Sequence, residues 1–522
     1  MGQICVLSDP CAPIPCTARR LQTESRGPCA ALRGPCETWR VQDSSSAPRE
    51  TLPPRSANSL RGPSGRAQGR AQPASLESHT IQPIAHDARH GRAADLFTVW
   101  FGSNIMLLTI VTGALGATVF HLPFTWAAGA LIAGNLIGAV FMALHAAQGP
   151  ILGVPQMVQT RGQFGSLGAL LVVGLVIVMY VGFFASNLVL GGQALEAVTP
   201  LSVMGGIILI GLVSAVAAIF GYDLIHAYAR AMSYAAGIVL LLTALWVPLV
   251  HGLPHDFWDR GVASAAGLLG TVSVAALWQI AYAPYVSDYT RYMPAETGVR
   301  SAFWATYWGC TLGSTLPMLL GAAVGACVKG DDVIGGLGEL TGRLAPAVFI
   351  TFALAMVATN AMNLYCGALS VMTFGQAFVP RWSPRARARA LVAAVLLAAS
   401  IALAVLGKDS FLVNYTNFIL LLLYVLVPWT AINLVDYYLV QHGKYDVGSF
   451  FRADGGLYGR INIVAVACYA LGIIVQIPFM STPLHTGSVA RHLHEADVSW
   501  IVGLAVTGPL YYVLALVLRR SR

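Results

Sequence analysis

The sequence predicts an all-α integral membrane protein with about twelve transmembrane helices, and three observations carry that prediction. The 522 residues are 56% hydrophobic and only 10% charged, too apolar and too poor in charge for a soluble globule. From Ala93 onward, apolar stretches of roughly 20 residues, enough to cross a bilayer as a helix, follow one another at short intervals. Basic residues gather in alternate connections, as they do when every second loop faces the cytosol.

The chain before these stretches is a different polymer. Residues 1–92 are rich in Arg, Pro, Ser, Gln and Gly and hold no sustained apolar run. Such a segment cannot bury enough surface to offset its ordering entropy, so a disordered cytosolic N-terminal tail is expected, or a start codon assigned too far upstream. It has no apolar h-region of a secretory signal peptide. Cys5, Cys11, Cys16, Cys29 and Cys36 lie in this tail, and Cys310, Cys327, Cys366 and Cys468 in apolar segments. Without a C-x-x-C or a zinc-like spacing they imply neither a disulfide framework nor a metal site.

The transmembrane domain is expected over 93–522. Its spans are placed at Leu96 to Phe120, Trp126 to Leu144, Leu167 to Leu190, Val203 to Phe220, His226 to Val250, Ala265 to Tyr285, Phe303 to Val328, Ala345 to Phe374, Ala390 to Leu406, Phe411 to Leu434, Ile461 to Met480 and Trp500 to Leu518. With the N-terminus in the cytosol, Arg161, Arg230, Arg291, Arg300, the Arg381–Arg389 cluster, Lys444, Arg452, Arg460 and the terminal arginines all fall inside. An even span count returns the C-terminus to the same side, which makes the protein multi-pass in a cell membrane with both termini cytoplasmic. The net charge of +8 is dispersed between apolar runs, so it argues for topology and against a nucleic-acid partner.

Polar and helix-breaking residues inside the spans mark where something other than lipid is held. The densest case is Trp278 to Pro294, WQIAYAPYVSDYTRYMP. Pro284 has no N–H to donate and so frees a carbonyl one turn earlier. Asp288 and Arg291 are expected to cap and pair at its cytosolic end, or to form a gating contact. The first span places Gly102, Ser103 and Asn104 together in an apolar run, where unwinding would turn carbonyl oxygens toward a cation or substrate. In the third span Phe183 and Asn187 are four apart and share a helix face, a flat aromatic surface beside an amide. The eighth span carries Thr359, Asn360, Asn363 and Tyr365; two amides at i and i+3 suit the edge of an uncharged base, and a threonine hydroxyl suits a hard cation such as sodium. For each set the plainer reading is an interhelical hydrogen bond or close packing. Polar placement in the first, third, sixth and eighth spans fits two inverted five-helix units around one midplane site.

No Walker sequence, HExxH, GxSxG or pair of membrane carboxylates appears. ATP-driven transport and hydrolytic chemistry therefore drop out, and neither an enzyme nor a cofactor is expected. His485, His492, His494 and Glu495 in an external loop are read as solvated rather than as a metal cluster.

Four ordered motifs complete the reading: GP…QM…R…FG at Gly149 to Gly165, FGY…H at Phe220 to His226, SDYTRYMP at Ser287 to Pro294, and PWTAINLVDYYL at Pro428 to Leu439. Together they resemble the purine-cytosine permeases of the nucleobase:cation symporter family, over nearly everything from Trp100 onward. That resemblance implies a LeuT-like fold with two inverted five-helix repeats plus two extra helices, broken first and sixth helices, and alternating access. It implies a symporter that imports a nucleobase or related planar heterocycle, cytosine or a purine first, coupled to Na+ or H+. An allantoin or thiamine-precursor permease, or a transporter-like receptor, are the alternatives. The substrate set is Ser103, Asn104, Met106, Phe183, Asn187, Trp278, Gln279, Asn360 and Asn363, with Phe183 and Asn187 stacking on and bonding the base. The cation set is the carbonyls of Gly102, Ile105 and Ala355 with the Thr359 hydroxyl. Ala358 stands where sodium-coupled members offer a second hydroxyl, and Tyr282 where relatives often carry Trp.

Overall fold

Twelve apolar helical segments are present in the computed structural model, which describes residues 80–520 apart from positions 221, 329, 331 and 483. Residues 1–79 of the tail expected over 1–92, and the side chains of the FGY…H motif, lie outside the described residues. Eight segments are long and apolar enough to cross a bilayer by themselves, and a broken pair makes a ninth. One of the eight, 386–440, holds two helices joined at Lys408–Ser410, and two shorter apolar helices complete the set.

In chain order the helices are α1 (Ala93–Asn104), α2 (Leu107–Thr118), α3 (Phe124–Ala146), α4 (Gly149–Leu152), α5 (Gln156–Phe164), α6 (Ala169–Glu196), α7 (Val203–Phe220), α8 (Tyr222–Trp246) and α9 (Ala265–Ile280). They continue as α10 (Ala283–Thr290), α11 (Ala295–Cys327), α12 (Val333–Thr341), α13 (Ala345–Phe378), α14 (Ala386–Gly407), α15 (Phe411–Val435), α16 (Ile463–Ile474), α17 (Ser488–His492) and α18 (Ser499–Arg520). Thus α1 with α2 is the first span and α9 with α10 the sixth. Helices α3, α6, α7, α8, α11, α13, α14, α15, α16 and α18 supply the rest.

The first span breaks sharply. Ile105 and Met106 leave helical geometry, Met106 with φ −151° and ψ 167°, and the axis bends by 58°. The sixth was expected to break as well, yet it tightens for two residues at Ala281 and Tyr282 and continues as one span over 265–290. Pro284 causes little disruption because it sits in the first turn of α10, where a missing N–H has no helical partner to lose.

The innermost elements are the sixth and seventh spans, whose apolar windows are 72% and 67% buried, whereas that of α18 is 22% buried and faces the lipid side. Glycines on α11 bring both halves of the broken span against it. A Cβ at Gly313 would lie 2.6 Å from the Phe101 carbonyl, and one at Gly321 1.8 Å from that of Ile110, so backbone meets backbone on either side of the break. α3 approaches α9 in the same way through Gly134 and Gly138.

Ordered packing begins upstream of the expected start at Ala93. Ile81 and Ile84 are buried. The Ile84 N–H donates to the Gly153 carbonyl at 2.9 Å, the Gly91 N–H to that of Tyr292 at 2.9 Å, and the Thr80 hydroxyl to that of Pro384 at 2.8 Å.

Candidate functional site

Where the first span unwinds, α6, α9, α10 and α13 converge on a narrow cavity of about 10 Å³. That is room for about one water molecule, so a ring-sized ligand requires the walls to part. α6 contributes Phe183 and Asn187, and α13 contributes Thr359 and Asn363, in each case residues four apart on one helix face. Met106 comes from the break in the first span. The sixth span supplies Trp278, Ala281, Tyr282 and Tyr285, an i, i+3, i+4, i+7 stripe. None of these nine side chains is charged.

The aromatic walls are fixed edge to face. Phe183 lies 6.1 Å from Trp278 and 5.2 Å from Phe418 of α15, with interplanar angles of 82° and 76°. Tyr285 is held against Tyr180 at 4.6 Å and Tyr282 at 5.3 Å. The amides are prepared as well: Asn187 Nδ2 donates to Asn360 Oδ1 at 2.9 Å, and the Tyr285 hydroxyl donates to Asn363 Oδ1. Asn187 Oδ1, Asn360 Nδ2 and Asn363 Nδ2 remain buried without a protein partner. An unmet buried polar atom costs about 1–3 kcal/mol, and three such atoms stand at this cavity or one hydrogen bond behind it.

Of the nine residues expected at the substrate, Met106, Phe183, Asn187, Trp278 and Asn363 therefore line the cavity, and Asn360 stands one hydrogen bond behind it. The side chains of the other three, Ser103, Asn104 and Gln279, lie in the supporting wall. Gln279 is turned away because successive residues on a helix point about 100° apart, and its Nε2 donates to Asn135 Oδ1 at 2.7 Å and Ser314 Oγ at 3.1 Å. Asn104 is the hub of that wall: its Oδ1 accepts from Trp278 Nε1 at 2.7 Å and from the Ser314 hydroxyl at 2.9 Å, while its Nδ2 donates to the Trp100 carbonyl at 2.6 Å. The Ser103 hydroxyl donates to the Trp100 carbonyl, and only its backbone faces α13. Ala281, Tyr282 and Tyr285 were absent from the expected set; their register with Trp278 was the signal that marks them.

In the expected cation set, the Thr359 hydroxyl donates to the Ser103 carbonyl at 2.7 Å, which joins α13 to the last turn of α1. The Gly102 carbonyl accepts from the Ile105 N–H at 3.2 Å and keeps a second lone pair. Ala355 lies one turn before Thr359 on α13 and is buried.

Below the cavity the elements at one end of the bundle are tied together. Asp288 Oδ1 accepts from the Gln156 N–H at 3.0 Å, so its carboxylate caps α5 rather than its own helix. Arg291 donates to the Thr80 carbonyl at 2.6 Å and to the hydroxyls of Tyr292 and Tyr365. Arg161 of α5, buried, donates to Gln376 Oε1, to the Phe450 carbonyl and to that of Thr373. Burial pulls its guanidinium down to about 10, which leaves it charged at neutral pH.

A multi-pass helical bundle with a broken first span and an uncharged midspan cavity defines a membrane transporter. The family model described as a permease for cytosine/purines, uracil, thiamine, allantoin matches residues 83–503. The chain is 39% identical over 442 residues to the putative purine-cytosine permease YxlA of Bacillus subtilis strain 168, covering 84% of this chain and 96% of that one. It is 26% identical to the purine-cytosine permease fcyB of Emericella nidulans, over 80% and 84% of the two chains. Its fold is similar to that of Mhp1, a nucleobase-cation-symport-1 family transporter solved in a closed conformation with bromovinylhydantoin bound. The TM-score is 0.64 at 19% identity, over 85% of this chain and 95% of Mhp1. The protein belongs to the purine-cytosine permease branch of the nucleobase:cation symporter family, with the LeuT-like fold, and is a permease rather than an enzyme.

Proposed function

We propose that this protein imports a neutral nucleobase, cytosine or a purine first, by cation-coupled alternating access across the cell membrane, with both termini in the cytosol. The observation that carries the reading is the uncharged cavity in which Phe183 and Trp278 face the unmet amide atoms of Asn187 and Asn363. A planar heterocycle meets both needs, since its faces pack on the aromatic side chains and its edge carries donors and acceptors. Asn360 acts through Asn187, to which it is bonded.

The coupling ion is assigned to the junction between the unwound first span and α13. The carbonyls of Gly102, Ile105 and Ala355 and the Thr359 hydroxyl offer oxygen only, the ligand chemistry of Na+. No carboxylate or histidine lines the cavity to carry a proton in its place, so Na+ is preferred over H+. A cation there would bind the last turn of α1 to α13, which also lines the cavity, so each ligand would favour the conformer that accepts the other.

The test is uptake of labelled cytosine, adenine and hypoxanthine into proteoliposomes, under an inward Na+ gradient at fixed pH and under a pH gradient without Na+. Accumulation of at least one base driven by the Na+ gradient is expected. No accumulation of any base under either gradient would overturn the function, and accumulation under the pH gradient alone would overturn the ion.

A further inference from the structure

We infer that Tyr285 is a positioning residue that sets substrate selectivity: by donating its hydroxyl proton to Asn363 Oδ1 it leaves the amide nitrogen as the group offered to the ligand. The site then takes heterocycles that present a hydrogen-bond acceptor to Asn363. The inference rests on the proposed nucleobase function and names the chemistry by which that same site discriminates.

The argument begins from a proton. Tyr285 is 2% exposed, and Asn363 Oδ1 is the acceptor its hydroxyl has among the described residues. An amide nitrogen cannot accept, so the proton of a buried tyrosine fixes which end of the amide faces it. Oδ1 must turn to Tyr285, and Nδ2 is the end left buried and unmet. The ring cannot drift from this duty, because Tyr180 and Tyr282 pack against it on two sides, and the Tyr180 hydroxyl is itself engaged with the Pro284 carbonyl at 3.1 Å.

Asn187 and Asn360 carry no such constraint. Inverting both amides together keeps their mutual hydrogen bond and exchanges the free oxygen for a free nitrogen at Asn187. That pair can therefore meet either a donor or an acceptor on the base, whereas Asn363 can meet only an acceptor. Selectivity concentrates at the group whose orientation is imposed. A ring nitrogen with a lone pair, or a carbonyl oxygen, satisfies Asn363; a ring N–H or C–H leaves its N–H buried and unmet, which is worth about tenfold in affinity.

The test compares inhibition constants for uptake by the full-length protein in proteoliposomes, using cytosine against 3-deazacytosine and adenine against its 1-, 3- and 7-deaza analogues. Each analogue replaces one ring acceptor by C–H with almost no change in shape. In the wild type, one replacement in a series is expected to weaken inhibition about tenfold. In Asn363→Ala the same replacement should cost less than about twofold, because its partner has gone. In Tyr285→Phe the parent base should weaken while the penalty for the deaza analogue shrinks, because the freed amide can invert. A Tyr285 that only supports packing would weaken parent and analogue equally, and an unchanged ratio in Tyr285→Phe overturns the inference. So does a wild type that treats every deaza analogue as its parent. Should no base inhibit or enter the wild type, the function itself fails and this inference with it.

Discussion

The first and sixth spans flank the same cavity and are interrupted at the same depth, yet they achieve it by opposite means. The first has no proline and bends by 58°, and a side chain anchors its edge: Asn104, the last residue of α1, donates to the Trp100 carbonyl of the preceding turn and accepts from Trp278 and Ser314. The sixth carries Pro284 and scarcely departs from one axis, because the proline occupies a position where its missing N–H costs nothing. The breaker residue seen in sequence is thus not where the backbone opens. At the break the Ser103 carbonyl accepts from the Thr359 hydroxyl of α13 while Asn104 ties the end of α1 to Trp278 and Ser314, and the two-residue tightening beside the proline leaves Trp278, Tyr282 and Tyr285 on one cavity.

This contrast makes unequal predictions. Replacing Asn104 by Ala should be the most damaging change, since it strands the Trp278 N–H and the Ser314 hydroxyl in a dry interior at about 1–3 kcal/mol each. A fall in uptake beyond about 100-fold is expected, together with a lower melting temperature of the detergent-solubilised protein. Normal uptake by this variant would break the comparison, because the sharper break would then need no amide to hold it. Pro284→Ala should do far less, leaving initial uptake within about threefold of the wild type, as befits a first-turn proline. Loss of transport from that single change would place the working hinge in the sixth span instead.

The sequence made the elements legible because membrane helices declare themselves by length and apolarity, and the twelve expected segments match the helices closely. It revealed Phe183 with Asn187, paired at i, i+4, and the polar set Thr359, Asn360 and Asn363, of which Thr359 and Asn363 line the cavity. Azimuth was the weak point. Trp278 and Gln279 are neighbours in sequence and were assigned one role, but a helix turns them to different surroundings, one to the cavity and one to Asn135 and Ser314. Tyr282 was noted only as standing where relatives carry Trp, and Tyr285 was not singled out, for a related reason. A tyrosine in an apolar span reads as core until Trp278 fixes which face is the inner one, after which both fall on its i+4 and i+7 positions. Asn104 looked like a ligand residue for the same cause, since a buried amide that contacts substrate and one that contacts a tryptophan leave the same mark in a sequence.

The central claim is that a neutral base is read by amides already arranged to receive it, and ligand-induced stabilisation of the purified protein tests it most directly. Melting of the wild type and of Asn187→Ala is measured with cytosine and with adenine, in the presence of sodium. A base at a hundredfold excess over its Kd should stabilise the wild type by about 2.7 kcal/mol. Asn187→Ala, which removes the amide on α6 and strands that of Asn360, should lose nearly all of that shift while still folding. The account is contradicted if neither base stabilises the wild type, or if Asn187→Ala keeps the full shift.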